Sequence, residues 1–182
     1  FPFSPNFSND RFFFKEPQQG DLVVFKTPAD NRTDYIKRLI GLPGDEIQFV
    51  EGELFINNKK IIRKTTSISE QIRCGNYTLE TKTFIETLPN GVQHLVSYNV
   101  KGTLQNTKKY KVPENHFFLM GDNRDCSKDS RYLDEVGYVE KLNLVGKAKI
   151  IFFSNDTKKG SLLKFWNLQN SFRFERTFKI LK

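Results

Sequence analysis

A lysine set between an aromatic and an aliphatic residue on one strand face is the first feature of this chain that could do chemistry. In Asp34-Tyr35-Ile36-Lys37-Arg38-Leu39-Ile40-Gly41, period-two alternation puts Tyr35, Lys37 and Leu39 on the same side. If that side is buried, desolvation penalises the ammonium form and lowers the amine's pKa. A lysine poised near neutrality can act as a general base. The other reading is an edge-strand lysine whose charge blocks unwanted pairing. The second feature is Met120-Gly121-Asp122-Asn123-Arg124-Asp125-Cys126-Ser127-Lys128-Asp129-Ser130-Arg131, dense in short polar side chains that rigidify loops. As a calcium loop it fails, because Arg124 and Lys128 intrude where acidic ligands are needed. It also lacks the glycine pattern of a phosphate loop, so by itself it reads as a tight, salt-bridged turn.

The elements that must position these residues are strands. Leu22–Phe25 follows Gly20-Asp21, and Tyr35–Gly41 ends in the turn Leu42-Pro43-Gly44-Asp45. Ile47–Val50 and Leu54–Ile56 form a hairpin across Glu51-Gly52, with Asn57-Asn58 as the next turn. Asn90-Gly91 is a two-residue hairpin signal joining Lys82–Thr87 to Val92–Tyr98. His116–Met120 and Gly146–Phe153 complete the strands. The pattern predicts a mostly β chain with a larger β domain formed by residues 1–56 and 111–160. Residues 57–110, polar and rich in Thr, Lys and Asn, read as a β-rich insertion. Ser161–Lys182 is basic, aromatic and near helical spacing (Leu162, Phe165, Trp166, Phe172, Phe174, Phe178, Leu181). It reads as a helix or irregular tail, packed on the β domain or lying in a membrane interface.

Composition narrows the classes. With 37% apolar residues and 18 Phe, the chain is neither a disordered tail nor a fibrous repeat. Its 29 Lys and Arg against 21 Asp and Glu give +8, which favours anionic partners without choosing one. The longest apolar run, Ile150-Ile151-Phe152-Phe153, is far too short to span a bilayer. Cys74 and Cys126 lack metal-ligand spacing and read as free thiols, and His94 and His116 stand isolated, so a zinc site is not expected.

Taken together, in this order, three segments resemble the bacterial type I signal peptidase family. They are Gly20–Phe25, then Tyr35-Ile36-Lys37-Arg38 with Gly41-Leu42-Pro43-Gly44-Asp45, then Gly121-Asp122-Asn123-Arg124-Asp125 with Ser127, Asp129, Ser130 and Arg131. The resemblance runs from about Gly20 to about Phe153. It implies antiparallel sheets or a partly open barrel, and a Ser–Lys endopeptidase that removes signal peptides from exported preproteins. It implies that this happens at the outer face of the cytoplasmic membrane, with the lipid surface as a second partner and without a cofactor. It puts the general base on Lys37 and an orienting hydroxyl on Ser127. Asp122 and Arg38 become a supporting ion pair, Asp129 and Arg131 brace the loop, and Tyr35 and Ile36 line the substrate groove. Cys126 stands where the family often has Asn.

The family's nucleophile lies in a Ser-Met-x-x-Thr type motif, and no such motif occurs here. Ser4 and Ser8 are the only serines before Lys37, and neither is followed by Met. Because the chain opens on Phe1-Pro2-Phe3 without an initiator Met, the expectation is that nucleophile and membrane anchor were encoded before Phe1. The 182 residues would then be inactive alone. Three rivals differ in what they predict. A self-cleaving repressor-type protease would not carry the Gly-Asp-Asn-Arg-Asp segment. A single-strand nucleic-acid binder predicts salt-dependent oligonucleotide binding, which the protease reading does not. A non-catalytic β-rich binding module would use the tail as its contact.

Overall fold

The computed structural model describes residues 16–151 and 178–180. Among the described residues, the first of two compact units, Phe1–Lys147, holds twelve strands: β1 (Leu22–Lys26), β2 (Asp34–Gly41), β3 (Glu46–Val50), β4 (Glu53–Ile56), β5 (Lys59–Lys60), β6 (Ile62–Cys74), β7 (Tyr77–Thr87), β8 (Gln93–Asn99), β9 (Tyr110–Lys111), β10 (His116–Met120), β11 (Val139–Glu140) and β12 (Leu144–Lys147). They form antiparallel sheets ordered β11-β10-β2-β1-β12, β5-β4-β3-β9 and β6-β7-β8, none closed into a barrel. The mostly β, antiparallel architecture is as expected.

Local chemistry explains the turns. Glu51 and Gly52 both take positive φ (50° and 76°) between β3 and β4, as do Asn57 and Asn58 (53° and 60°) between β4 and β5. These are the conformations a two-residue hairpin needs. The Asn90-Gly91 hairpin exists but with a different loop. Leu88 N–H donates to Val92 O and Gly91 N–H to Leu88 O, so three residues, Pro89–Gly91, make the turn, with only Gly91 at positive φ (84°). That extra residue sets the register so that Glu86 faces His94, where a two-residue loop would have shifted one strand by a residue.

Strand β2 lies between two cores. Its pairing to β10 slips between Phe118↔Gly41 and Leu119↔Leu39, which leaves Ile40 as an extra residue. Successive strand residues face opposite sides of the sheet, so Leu39 and Ile40 enter different cores. Leu39 joins Val23, Phe25, Phe117, Leu119, Val136, Val139 and Leu144. Ile40 joins Ile47, Phe49, Leu54 and Ile56. That second core also takes Leu88, Val96 and Tyr98, with Phe84 of β7 packed against it, so β7 and β8 share an interior with β2–β4.

In the second unit, Ala148–Lys182, the described residues form a short pair, β13 (Ile150–Ile151) and β14 (Lys179–Ile180). The helical spacing read through Phe178 gives way there to a turn and a strand, because pairing with β13 satisfies the backbone. Ser4, Ser8, Phe152, Phe153 and the rest of the basic aromatic segment lie outside the described residues. Among the described residues no helix is long and apolar enough to cross a membrane.

Candidate active site

Lys37 sits mid-strand on β2, opposite Val23 of β1, on the face that carries Tyr35 and Leu39. It is half-buried, with Nζ 5.3 Å from the centroid of the Tyr35 ring. Burial lowers the amine's pKa from its ordinary value; Asp129 and Asp122 push it back up, and the Arg131 guanidinium pushes it down. Neither acid reaches the amine as an ion-pair partner, because each is taken by an arginine.

The first of these pairs joins β2 to the polar loop. Arg38, 3% exposed, donates from Nε to Asp122 Oδ1 (2.8 Å), from Nη2 to Asp122 Oδ2 (2.7 Å) and from Nη1 to Gly20 O (2.7 Å). The second braces the loop internally. Arg131 donates from Nε and Nη2 to the two Asp129 oxygens, each at 2.8 Å, and Asp129 Oδ2 also accepts Gly121 N–H at 2.9 Å. Ser130 ties the base of the loop to β10: its N–H donates to Leu119 O, and its hydroxyl accepts Leu119 N–H.

Ser127 follows a 3-10 turn, Arg124–Cys126, and its hydroxyl is buried without a hydrogen-bond partner among the described residues. It rests directly on Gly121: a Cβ added there would fall inside the van der Waals radius of Ser127 Oγ. Gly121 in turn follows Met120, the residue paired with Arg38. The loop therefore folds its serine back over the end of β10, and the Ser127 hydroxyl makes no hydrogen bond to the Lys37 amine. Tyr35 packs edge-on against Phe25 (centroids 6.1 Å apart), while Ile36 leaves 48% of its surface to solvent.

Several partners in this neighbourhood had no signal in the sequence. His94 is not isolated: its Nε2 lies 3.3 Å from Glu86 Oε1 and its Nδ1 3.6 Å from Asp122 Oδ1. Arg124, fully buried, forks onto both Glu86 oxygens and donates to the Tyr98 hydroxyl at 2.7 Å. Burial opposes the Glu86 charge, but Arg124 and His94 win and hold its carboxyl down to about 2. Asp125 accepts Asn99 N–H at 2.7 Å and the Thr103 hydroxyl, and Ser97 N–H donates to Asp122 O at 2.8 Å. The cysteines are not free thiols either. Cys74 and Cys126 form a disulfide across 52 residues of sequence. Two cysteines that far apart carry no pairing information in their spacing. The Glu86–His94 contact was readable only with the three-residue turn in hand.

The site thus holds a half-buried amine kept clear of carboxylates and, on an arginine-braced loop, a buried hydroxyl packed on Gly121. Among the described residues no three His, Cys, Asp or Glu side chains are grouped to hold an ion. The chain belongs to the signal peptidase, peptidase S26, family, whose model matches residues 3–153. It is 43% identical over 162 residues to the signal peptidase I of Rickettsia typhi (strain ATCC VR-144 / Wilmington), a match covering 85% of this chain and 58% of that one. To the signal peptidase I of Rickettsia bellii (strain OSU 85-389) it is 37% identical over 191 residues, covering 94% and 62%. A crystal structure of a signal peptidase I from Enterococcus faecalis V583 is similar at 28% identity with a TM-score of 0.43, covering 74% of this chain and 97% of that one. The chain thus spans about three fifths of the length of those Rickettsia relatives.

Proposed function

We propose that these residues form most of the catalytic domain of a Ser–Lys endopeptidase that removes signal peptides from exported preproteins. The observation that carries the reading is the Lys37 amine, half-buried, with its pKa lowered by burial and both nearby carboxylates occupied by Arg38 and Arg131. A neutral amine there takes the proton from a serine hydroxyl, which attacks the scissile carbonyl, and then activates the water that releases the acyl group. Ser127 orients the amine. Arg38, Asp122, Asp129 and Arg131 hold the loop that carries it.

The nucleophile this reading requires, a serine in a Ser-Met-x-x-Thr segment, is not among the 182 residues, whose one methionine follows Leu119. We assign it, with the membrane anchor, to chain outside them, and take the 182 residues alone to be inactive. Substrate adds as a strand. Strand β2 pairs with β1 along Asp34–Arg38 but with β10 only from Arg38 to Gly41. One side of the Tyr35–Lys37 backbone is therefore unpaired among the described strands, which suits an extended peptide. Ile36 and Tyr35 wall pockets for small side chains. The working position is the outer face of a bacterial cytoplasmic membrane, against lipid, and nucleic acid is not a partner.

The test is cleavage of a preprotein by the longer chain that includes the Ser-Met segment, beside its Lys37→Met variant. The reading expects processing by the first and loss of about 10²–10⁴-fold in the second. Unchanged turnover in the variant contradicts it.

A further inference from the structure

The loop bearing Ser127 is fastened from one side by a sheet that the proposed mechanism does not use. Working inward from Asp122, the tethers are Ser97 N–H to Asp122 O, Arg124 to Glu86 and Tyr98, and Asp125 to Asn99 and Thr103. The last tether before Ser127 is covalent: Cys126, bonded to Cys74. Beyond Ser127 comes exposed Lys128, and the next anchored residue is Asp129, which accepts Gly121 N–H. Ser127 therefore depends on the Cys126 anchor on one side and Asp129 on the other.

Cys74 lies at a hairpin tip. It pairs with Tyr77 across the Gly75-Asn76 turn, and β8 covers β7 only from Thr81 to Thr87. The tip is thus a two-stranded finger reaching past its sheet, a geometry with little stability of its own. Its end is bonded to the residue beside Ser127. Both cysteines are half-buried, within reach of a soluble thiol.

We propose that Cys74 and Cys126 are positioning residues: their disulfide straps the β6–β7 hairpin to the polar loop and holds the Ser127 hydroxyl over Gly121, so that turnover depends on thiol redox state. The inference rests on the peptidase reading for its catalytic consequence and on geometry alone for the strap. Opening the strap takes a dithiol reductant. One thiolate attacks a cysteine sulfur to give a mixed disulfide, and the second thiol displaces it. Two electrons and two protons pass to Cys74 and Cys126, and the reductant leaves as its own disulfide.

The experiment compares the full-length protein with its Cys74→Ser variant, which removes the strap without altering the loop, each with and without dithiothreitol. Amide exchange across Gly121–Arg131 and the kinetics of preprotein cleavage are both read. The strap predicts that Cys74→Ser exchanges its loop amides at least about tenfold faster and loses about tenfold or more in kcat with KM within about twofold. Dithiothreitol brings the unaltered protein to the same values and leaves the variant unmoved. Two free thiols in the oxidised protein by intact mass, or loop exchange and kcat unchanged in Cys74→Ser, overturns the proposal. If exchange responds as predicted but no sample cleaves preprotein, the strap stands and the peptidase reading falls.

Discussion

Arg38 closes a bidentate ion pair on Asp122, 84 residues away in sequence, with Nε–Oδ1 at 2.8 Å and Nη2–Oδ2 at 2.7 Å. Arg38 follows Lys37 on β2, and Asp122 opens the loop that carries Ser127, so this one contact ties the strand of Lys37 to that loop. Removing the carboxylate takes this counter-charge from a guanidinium that is 3% exposed. Breaking such a pair from the Asp122 side, whose carboxylate is part-exposed, costs a few kcal/mol. Asp122→Asn is expected to lower the unfolding free energy by about 3 kcal/mol, checked by urea denaturation. Arg38→Lys, lacking the planar fork, should fall nearly as far.

Gly121→Ala isolates the packing of the serine from the stability of the fold. Gly121 is not at positive φ, so its backbone accepts alanine; what the methyl group meets is the Ser127 side chain. Displacing that hydroxyl should lower kcat by about 10- to 100-fold, as a misplacement near 1 Å does elsewhere. The thermal midpoint should shift by only a few degrees. Steady-state kinetics and a melting curve together decide it.

The Glu86–Arg124 pair makes stability pH-dependent in a predictable window. The folded-state carboxyl is held at about 2, below its ordinary 4.5. A lowered acid contributes stability that is fully present above about pH 4.5 and is lost as pH falls toward 2. Unfolding free energies measured across that range should decline in the unaltered protein and decline less steeply in Glu86→Gln. At neutral pH the variant should be weaker by about 3–5 kcal/mol, since Arg124 is left buried without its partner charge.

What the sequence made legible follows from which forces act locally. The strands around the site were readable because Leu22–Phe25 and Ile47–Val50 each bury alternate residues, and because Glu51-Gly52 and Asn57-Asn58 need backbone conformations few residues adopt. Strand β6 left no such trace. Most of its thirteen residues are exposed, so no apolar alternation marks it, and it is held by pairing to β7 instead. Lys37 and the Gly121–Arg131 segment could be picked out by residue type. Their buried partners Glu86, His94 and Cys74 could not, because those contacts depend on a register and a chain crossing that no short window encodes. The Asn90-Gly91 turn shows how small the margin is: one residue in loop length decides whether Glu86 or its neighbour faces His94.

Lys37→Met should raise stability while removing turnover. The folded state bears the cost of burying the ammonium whenever both folded and unfolded chains are protonated, that is, below the lowered folded-state pKa. That cost disappears as pH rises through the ordinary value of 10.5. The unaltered protein should therefore gain stability with pH across this interval, and the Met variant should melt higher below it and lack the gain. Melting curves from pH 6 to about 11 check the sign.

The most direct test of the whole reading is the titration of the Lys37 amine itself, followed by the ¹³Cε resonance that Lys37→Met removes from a lysine-labelled sample. The site described here predicts a midpoint clearly below that of the chain's exposed lysines. A Lys37 resonance that titrates with the rest, near about 10.4, would contradict it.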